Sequence, residues 1–569
     1  MQEERSEKRR VVFIAAMVGL ALAGLGMRLG YLHLLNHSKL KRNYTRDLLG
    51  IRGRIFDCNG EEFPMAASLP ARRFFVDPMA VKENHSRKLI IDTLADALAL
   101  PREEVADAFS QTNSRYVKIA VSYDDTVFDL LSDATCISGV GSEDVMVRSY
   151  PHGHCMAHIL GFVNNDGIGS AGIEQRYDAE LRGTPGLQQG EVEGKRRREL
   201  WRRRKVDIPP IPGNDVHLTL DHNIQRVVEQ SLQEVVEQFN AASGWAIVQD
   251  VHTGAILAMG TYPGFHPERY NEESKETWRN HALAAVYEPG SIMKAVTVAA
   301  ALNERLVTAN TVMDAGDGVF MWAGKPLRDH VTGPITIATA LKKSSNIVCA
   351  KLGLMLTSQR LNAYLRGFGF GNTLGIDLPG EERGIIGDWK KWDGLKPTRV
   401  PIGQGVAVTG LQMVNAYSAI ANGGKLMRPY VVDKIVSPSG EVVLQAKSEV
   451  IGSPIRPEVA QQVREMLIGV TEEGGTGKRA DVKGYTVAGK TGTAQHAIKG
   501  GYSNTDYFAS FVGFIPARAP AFCVLVSVDR PKPQHTGGYV AAPAFAKIAT
   551  ATARYLEVPP DDLEMQAAR

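Results

Sequence analysis

Cysteine is scarce. The five residues, Cys58, Cys136, Cys155, Cys349 and Cys523, are odd in number, scattered, and form no CxxC pair. That spacing supports neither a zinc site nor a disulfide framework, and the thiols read as buried singles. An excess of charge of one sign is also missing. A net charge of +3 over 569 residues gives no reason to expect nucleic acid as a partner. One apolar run reaches membrane length. Val11 to Met27 is uninterrupted and continues after Arg28 as Leu29-Gly30-Tyr31-Leu32. With Arg28 snorkelling, about 20 residues are available, enough to span a bilayer. Ala21-Leu22-Ala23 has the small-x-small form of a cleavage site, but the run continues past it, which favours an uncleaved anchor. Lys39, Lys41, Arg42 and Arg46 on one side rival the cations at 5–10 on the other, so charge does not set the orientation.

What is present divides the chain. A polar tail (1–10) and the anchor (11–32) precede a module at 33–215. There Leu49 to Gly60 reads as a strand leading into an Asn-Gly turn, Arg72 to Val76 as a strand, and Arg87 to Leu98 and Arg102 to Phe109 as helices. His152, His154 and His158 lie close in sequence without a carboxylate pattern, so a metal reading is set aside. Lys195 to Lys205 is a basic run around Trp201, read as a solvated hairpin in preference to a contact with anionic lipid or wall polymer. Prolines 209, 210 and 212 mark a linker. From Val216 the texture changes: strands near both ends (216–220, 244–249, 254–260, then 484–495, 507–516, 521–529) enclose a helical middle. This predicts an α+β domain at 216–557, one sheet built from distant segments with helices packed on it, followed by a tail at 558–569.

Within that domain Tyr287-Glu288-Pro289-Gly290-Ser291-Ile292-Met293-Lys294 opens an apolar helical run. Three residues is close to one turn, so Ser291 and Lys294 share a face and their ends can meet. A lysine kept neutral by burial or by a nearby cation can take the serine's proton. The serine amide, at the positive end of the helix, can serve a developing oxyanion. Ser-x-x-Lys alone proves little; it recurs at Ser38 to Lys41, where nothing supports it. Two further motifs follow in order. Ser344-Ser345-Asn346, the one Ser-x-Asn in the chain, sits in a polar break between helical runs and offers a second hydroxyl and an amide. Lys490-Thr491-Gly492-Thr493 ends a strand. Lys490 can hold a substrate carboxylate and keep Lys294 neutral by repulsion, and Gly492 lets an extended peptide approach the strand backbone.

These three motifs form a recognised set, and the chain resembles the penicillin-binding protein and serine β-lactamase superfamily. Arg52 to Gly60 resembles the motif just outside the membrane in class B penicillin-binding proteins, with Cys58 where arginine is usual. Arg148 to Pro151, Ala157-His158, Gly172-Ile173-Glu174, Arg279-Asn280, Glu288 to Ser291 and Gly403-Gln404-Gly405 with Thr409 also match. Lys490 to Gln495, Tyr507 to Phe514, and Gly538 with Ala541 to Phe545 look most like the division-specific (septal) transpeptidases, the penicillin-binding protein 3 type.

The resemblance implies a β-lactamase-like transpeptidase domain on a non-catalytic pedestal, anchored by one helix in the cell (inner) membrane with its catalytic domain periplasmic, at the septum. It implies that Ser291 attacks the D-Ala-D-Ala carbonyl of a stem peptide with Lys294 as base, and that D-alanine leaves protonated through Ser344 and Lys490. Asn346 would hold the donor amide, Thr491 and Thr493 its carboxylate, and the amides of Ser291 and Thr493 the oxyanion. An amine of a second stem peptide then takes the acyl group, giving a 4-3 crosslink. No metal or organic cofactor is implied. Implied partners are stem peptides, β-lactam antibiotics, the membrane, and division proteins that include a membrane-embedded glycan polymerase. Elongation- or spore-specific transpeptidases, a D,D-carboxypeptidase and a β-lactam sensor on the same fold remain as alternatives.

Overall fold

The computed structural model describes residues 2–562 apart from 61, 82–83, 112, 125, 128–130, 132–138, 194–197 and 200–203. Cys136 and most of the basic run (Lys195, Arg196, Arg197, Trp201, Arg202 and Arg203) lie outside the described residues. The run's last members pair with carboxylates, Arg204 with Asp207 at 2.7 Å and Lys205 with Glu191 at 4.0 Å. Contacts divide the chain into two compact units that interleave along the sequence. One comprises Met1–Arg52, Arg72–Met146 and Arg182–Gly213, the other Gly53–Ala71, Val147–Leu181 and Asn214–Arg569.

In the first unit a helix runs over Gln2–Leu40. Its window Lys8–Tyr31, with a mean hydropathy of 2.0, is long and apolar enough to cross a membrane, and no other described helix is. It fits a single-pass membrane protein. Strand Lys41–Leu48 pairs with Gly186–Glu193. Helices Asn84–Leu98 and Arg102–Ser110 bury Ile90, Leu94, Val105 and Phe109 against Phe74 and Val76 of a short sheet.

The second unit is built on one antiparallel sheet. Its strands are β1 (Ser243–Asp250), β2 (Ile256–Tyr262), β3 (Ala488–Ile498), β4 (Gly501–Ile515) and β5 (Phe522–Asp529), in the order β2-β1-β5-β4-β3. The strands are buried on both faces, and alternate residues serve different cores. Ala246, Val248, Phe511 and Ile515 face helices α1 (His222–Gln238) and α7 (Gly537–Tyr555). Trp245, Ile247, Val512 and Phe514 face α2 (Lys294–Asn303), α3 (Ile337–Lys343), α4 (Asn346–Gly367), α5 (Gly410–Ala421) and α6 (Pro457–Thr471). Helix α1 starts at Asp221, whose carboxylate accepts from the amides of Asn223 and Ile224. Helix α5 starts with a capping box between Thr409 and Gln412. Five of the six expected strands thus form one sheet from distant segments, whereas the strand expected at 216–220 spans Asp215–Leu218 and joins a separate sheet beside Val432–Val436; β3, which carries Lys490, is an edge strand.

Another local expectation changes. The stretch 49–60 is extended only over Ile55–Phe56, which pairs in parallel with Asp215–Leu218. Side chains set that geometry. Asp215 accepts from the Arg54 amide at 2.6 Å and from its guanidinium at 2.7 Å, and Asp57 accepts from the Asn59 amide at 2.9 Å. Nearby, the Arg148 guanidinium meets Glu174 at 2.6 Å with both side chains buried, and it also donates to the Gly53 carbonyl at 2.7 Å.

Candidate active site

Ser291 lies in a single 3-10 turn, Gly290–Met293, that leads into α2. Gly290 is left-handed (φ +57°), and a Cβ there would come within 3.0 Å of the Thr493 carbonyl, so the turn lies directly on β3. Its other side is held by residues 403–405. The Gly290 amide donates to the Gly403 carbonyl at 3.0 Å. Gly403 is left-handed (φ +80°), and a Cβ would stand 2.1 Å from the Gly290 carbonyl oxygen. Only glycine satisfies both conditions. Glu288 joins these parts: its Oε1 accepts from the Gly405 amide at 2.9 Å and from the Tyr502 hydroxyl at 3.2 Å, while its buried Oε2 has no partner among the described residues. Burial raises the Glu288 carboxyl above its ordinary range.

Lys294 is fully buried. Its Nζ donates to the Ser344 carbonyl at 2.6 Å, the Ser344 hydroxyl at 3.1 Å and the Asn346 Oδ1 at 2.7 Å. The spacing predicts that the lysine meets Ser291. The structure instead commits the amine to Ser344 and Asn346, with Ser291 on the wall of the same cleft. A neutral amine can donate to the carbonyl and the amide oxygen and keep its lone pair for a hydroxyl. Burial brings the Lys294 ammonium down to about 8 from its ordinary 10.5.

Ser344 caps α3 in the left-handed region (φ 60°, ψ 42°). Holding a non-glycine residue there costs about 1–2 kcal/mol. The strain turns both its carbonyl and its hydroxyl onto Lys294. The next residues are organised by Asp329, whose side chain is wholly buried. Its Oδ2 accepts from the Ser345 hydroxyl at 2.5 Å and the Ile347 amide at 2.8 Å, and its Oδ1 from the amides of His330 at 2.8 Å and Val331 at 3.1 Å. Asn346 is fixed at both ends, since its Nδ2 donates to the Arg328 carbonyl at 2.9 Å.

Lys490 is also fully buried and donates to the Thr491 carbonyl at 3.2 Å. Burial first, and then the positive charge of Lys294, hold its ammonium well below the ordinary value. Lys294 is lowered by burial in the same way, with the negative charge of Asp329 opposing that shift. Thr491 shares a hydrogen bond with Thr476 at 2.9 Å, and the exposed Thr493 hydroxyl accepts from the Gly537 amide at 3.2 Å. Gly492 has a reason within the protein itself. A Cβ there would meet the Pro289 carbonyl and Ile292 Cγ2 at 3.1 Å, so the residue makes room for the turn that carries Ser291.

The motifs converge on one cleft of about 540 Å³. Ser291, Ser344, Thr491 and Thr493 line it, with Lys294 and Lys490 buried behind. Gly403 to Gly405 is a stretch the sequence did single out, whereas Asp329 and the lining residues Thr476, Lys478, Arg479 and Tyr539 have no motif of their own. Glycines around 474–477 and at 537–538 are the one sequence signal near those lining residues. Elsewhere, His152, His154 and His158 face His222, His266 and Phe265 respectively. Asp57, Asp221 and His222 bring ligand atoms within 4.8 Å of one another. There His222 Nδ1 bonds Asp57 at 2.6 Å and Asp221 caps α1.

Residues 244–550 match the family described as penicillin binding protein transpeptidase domain, and residues 48–218 the penicillin-binding protein dimerisation domain. The peptidoglycan D,D-transpeptidase FtsI of Escherichia coli K12 is 29% identical, over 97% of this chain and 93% of that one. The stage V sporulation protein D of Bacillus subtilis is 31% identical, over 95% and 85%. The crystal structure of penicillin binding protein 3 from Mycobacterium tuberculosis complexed with aztreonam superposes with a TM-score of 0.70 at 27% identity, covering 90% of this chain and 98% of that one.

Proposed function

The chain belongs to the class B penicillin-binding proteins, serine-type peptidoglycan D,D-transpeptidases, and from that premise we propose that Ser291 crosslinks stem peptides during septal wall synthesis and is acylated by penicillin. Lys294 draws the proton from Ser291 as Oγ attacks the carbonyl between the two D-alanines. The amides of Ser291 and Thr493 receive the oxyanion. Asn346 and Thr491, with Thr493, hold the donor peptide along β3. As the tetrahedral intermediate collapses, the proton reaches the departing D-alanine through Ser344 and Lys490. The amine of a second stem peptide then attacks the ester, the C–N bond forms, and Ser291 regains its proton.

The observation that carries this reading is the hydrogen bonding of Lys294 Nζ to both Ser344 and Asn346, in the cleft that Ser291 and Thr493 line. One buried amine thereby ties two of the three motifs together beside the third. The domain reading remains an anchor at 11–32, a pedestal at 33–215 that meets division partners, and a catalytic domain at 216–557, with the catalytic domain outside the membrane.

Intact-protein and peptide mass spectrometry after adding penicillin tests the nucleophile. One adduct on Ser291, lost in Ser291→Ala, is expected; an adduct on another residue would overturn the assignment. Crosslinked dimer rather than trimmed monomer separates transpeptidation from carboxypeptidation. Depletion in growing cells should give filaments. Round cells would point to elongation, and a defect confined to spores to the role named for the Bacillus relative.

A further inference from the structure

The cleft that Ser291 lines carries charge of one sign. Among the residues that line the cavity the titratable side chains other than tyrosine are His330, Lys478 and Arg479, and no carboxylate is among them. The two strong cations differ. Lys478 is paired with Glu473. Arg479 has no carboxylate partner among the described residues; its guanidinium lies 3.4 Å over the ring of Tyr539, in the first turn of α7. Stacking fixes the plane of the guanidinium and leaves its N–H edge free for a planar anion. The same lining includes Thr476, bonded to Thr491, so it continues the end of the cleft that receives the donor's carboxylate.

Two molecules use that end of the cleft in turn. The departing D-alanine is an amine with a carboxylate on the adjacent carbon. Once it has left, the acceptor amine must approach the same acyl carbon along the path by which the first amine departed, since aminolysis is the reverse of acylation by an amide. We propose that Arg479, stacked on Tyr539, is the residue that selects the acceptor, and that it selects an amine bearing an α-carboxylate over a carboxylate-free or amidated amine. The inference rests on the transpeptidase reading above and names the substrate class of its second half. Aminolysis balances without a further reagent. The amine nitrogen bonds the ester carbon, the bond from that carbon to Ser291 Oγ breaks, and one N–H proton passes to Oγ. Arg479 touches only the acceptor's carboxylate, so it acts by orientation and by raising local acceptor concentration.

The test partitions one acyl-enzyme among competing acceptors. The full chain in detergent is acylated by a thioester donor whose leaving group carries no charge, so that loading does not depend on Arg479. Equal concentrations of D-alanine and D-alaninamide are then supplied, and the two amide products are counted by mass spectrometry. Because both arise from one intermediate, the amount of active protein cancels. Comparing variants cancels the difference in amine basicity. The product ratio should favour D-alanine and fall about tenfold in Arg479→Gln, the effect of one lost charge-assisted hydrogen bond. Arg479→Lys should retain part of the preference. Tyr539→Phe, which keeps the ring, should leave it in place. An unchanged ratio in Arg479→Gln overturns the proposal. If neither thioester nor penicillin acylates Ser291, the transpeptidase reading itself falls. Acylation with an unmoved ratio removes only the acceptor assignment.

Discussion

Replacing Asp329 by asparagine should loosen the Ser-Ser-Asn turn and reset the base at once. The carboxylate has no solvent exposure and accepts four hydrogen bonds, two at each oxygen. An asparagine has one acceptor oxygen. If that oxygen serves His330 and Val331, the new NH2 faces Ser345, whose hydroxyl can turn to accept, and the Ile347 amide, which cannot. The opposite orientation leaves two backbone amides against the NH2, so the first is preferred. One orphaned buried N–H costs about 1–3 kcal/mol, and three charge-assisted bonds become neutral ones of about half the strength, for a total of about 3–7 kcal/mol. The Asp329 charge also favours the Lys294 ammonium, so its loss should move the rising limb of the penicillin acylation profile to lower pH. Urea unfolding followed by tryptophan fluorescence reads the first effect, and the acylation rate across pH 6–9 reads the second. A stability loss below about 1 kcal/mol, within the range of an ordinary surface substitution, with an unmoved pH profile, would refute the role given to this carboxylate.

In the unaltered protein, acylation by penicillin should rise with pH and reach half its plateau near 8, because the base must be neutral and Lys294 titrates at about 8; a rate that falls over pH 7–9 would exclude Lys294 as base. Lys294→Met should slow acylation by about 10²–10⁴-fold with little loss of fold, the usual contribution of a general base, as measured by stopped-flow with a fluorescent penicillin. Gly403→Ala should cost about 2–4 kcal/mol in denaturant unfolding, through both the left-handed backbone and overpacking against Gly290. Gly380→Ala, left-handed but with no atom within 4 Å of its Cβ, should cost only the backbone share. Arg148→Ala should destabilise the fold by removing a buried cation from Glu174, which keeps a hydrogen bond from the Tyr150 hydroxyl, and Arg148→Met/Glu174→Met by clearly less.

The parts of the site that were legible in the sequence are those whose chemistry is local. Ser291 and Lys294 are one turn apart, Ser344 and Asn346 sit in one break, and Lys490 to Thr493 follow one strand, so spacing alone groups each set. The hydrogen-bond partner of Lys294 was not legible, because the choice between Ser291 and Ser344 depends on a left-handed residue more than forty positions downstream. Asp329 has no flanking pattern; its meaning arises when residues 345 and 347 fold back onto it. Gly492 was legible as a close approach but not as an approach of the protein's own turn, since Pro289 and Ile292 reach it only in the tertiary fold. The sheet could be assembled from strands at both ends because alternation and apolar runs survive in isolation. The interleaving of the two compact units could not, as Gly53–Ala71 and Val147–Leu181 pack with residues far from them in sequence.

The position of β3 at the margin of its sheet also has a colloidal consequence. An outer strand presents a row of unpaired backbone groups on which another chain can template. Within the described residues β3 pairs only with β4, so the groove proposed to receive a stem peptide is equally open to a strand from a second molecule in a concentrated preparation. An acyl group laid along that strand occupies the exposed row. Saturating β-lactam should therefore suppress self-association of this protein at a given concentration, and light scattering with and without the drug would measure by how much.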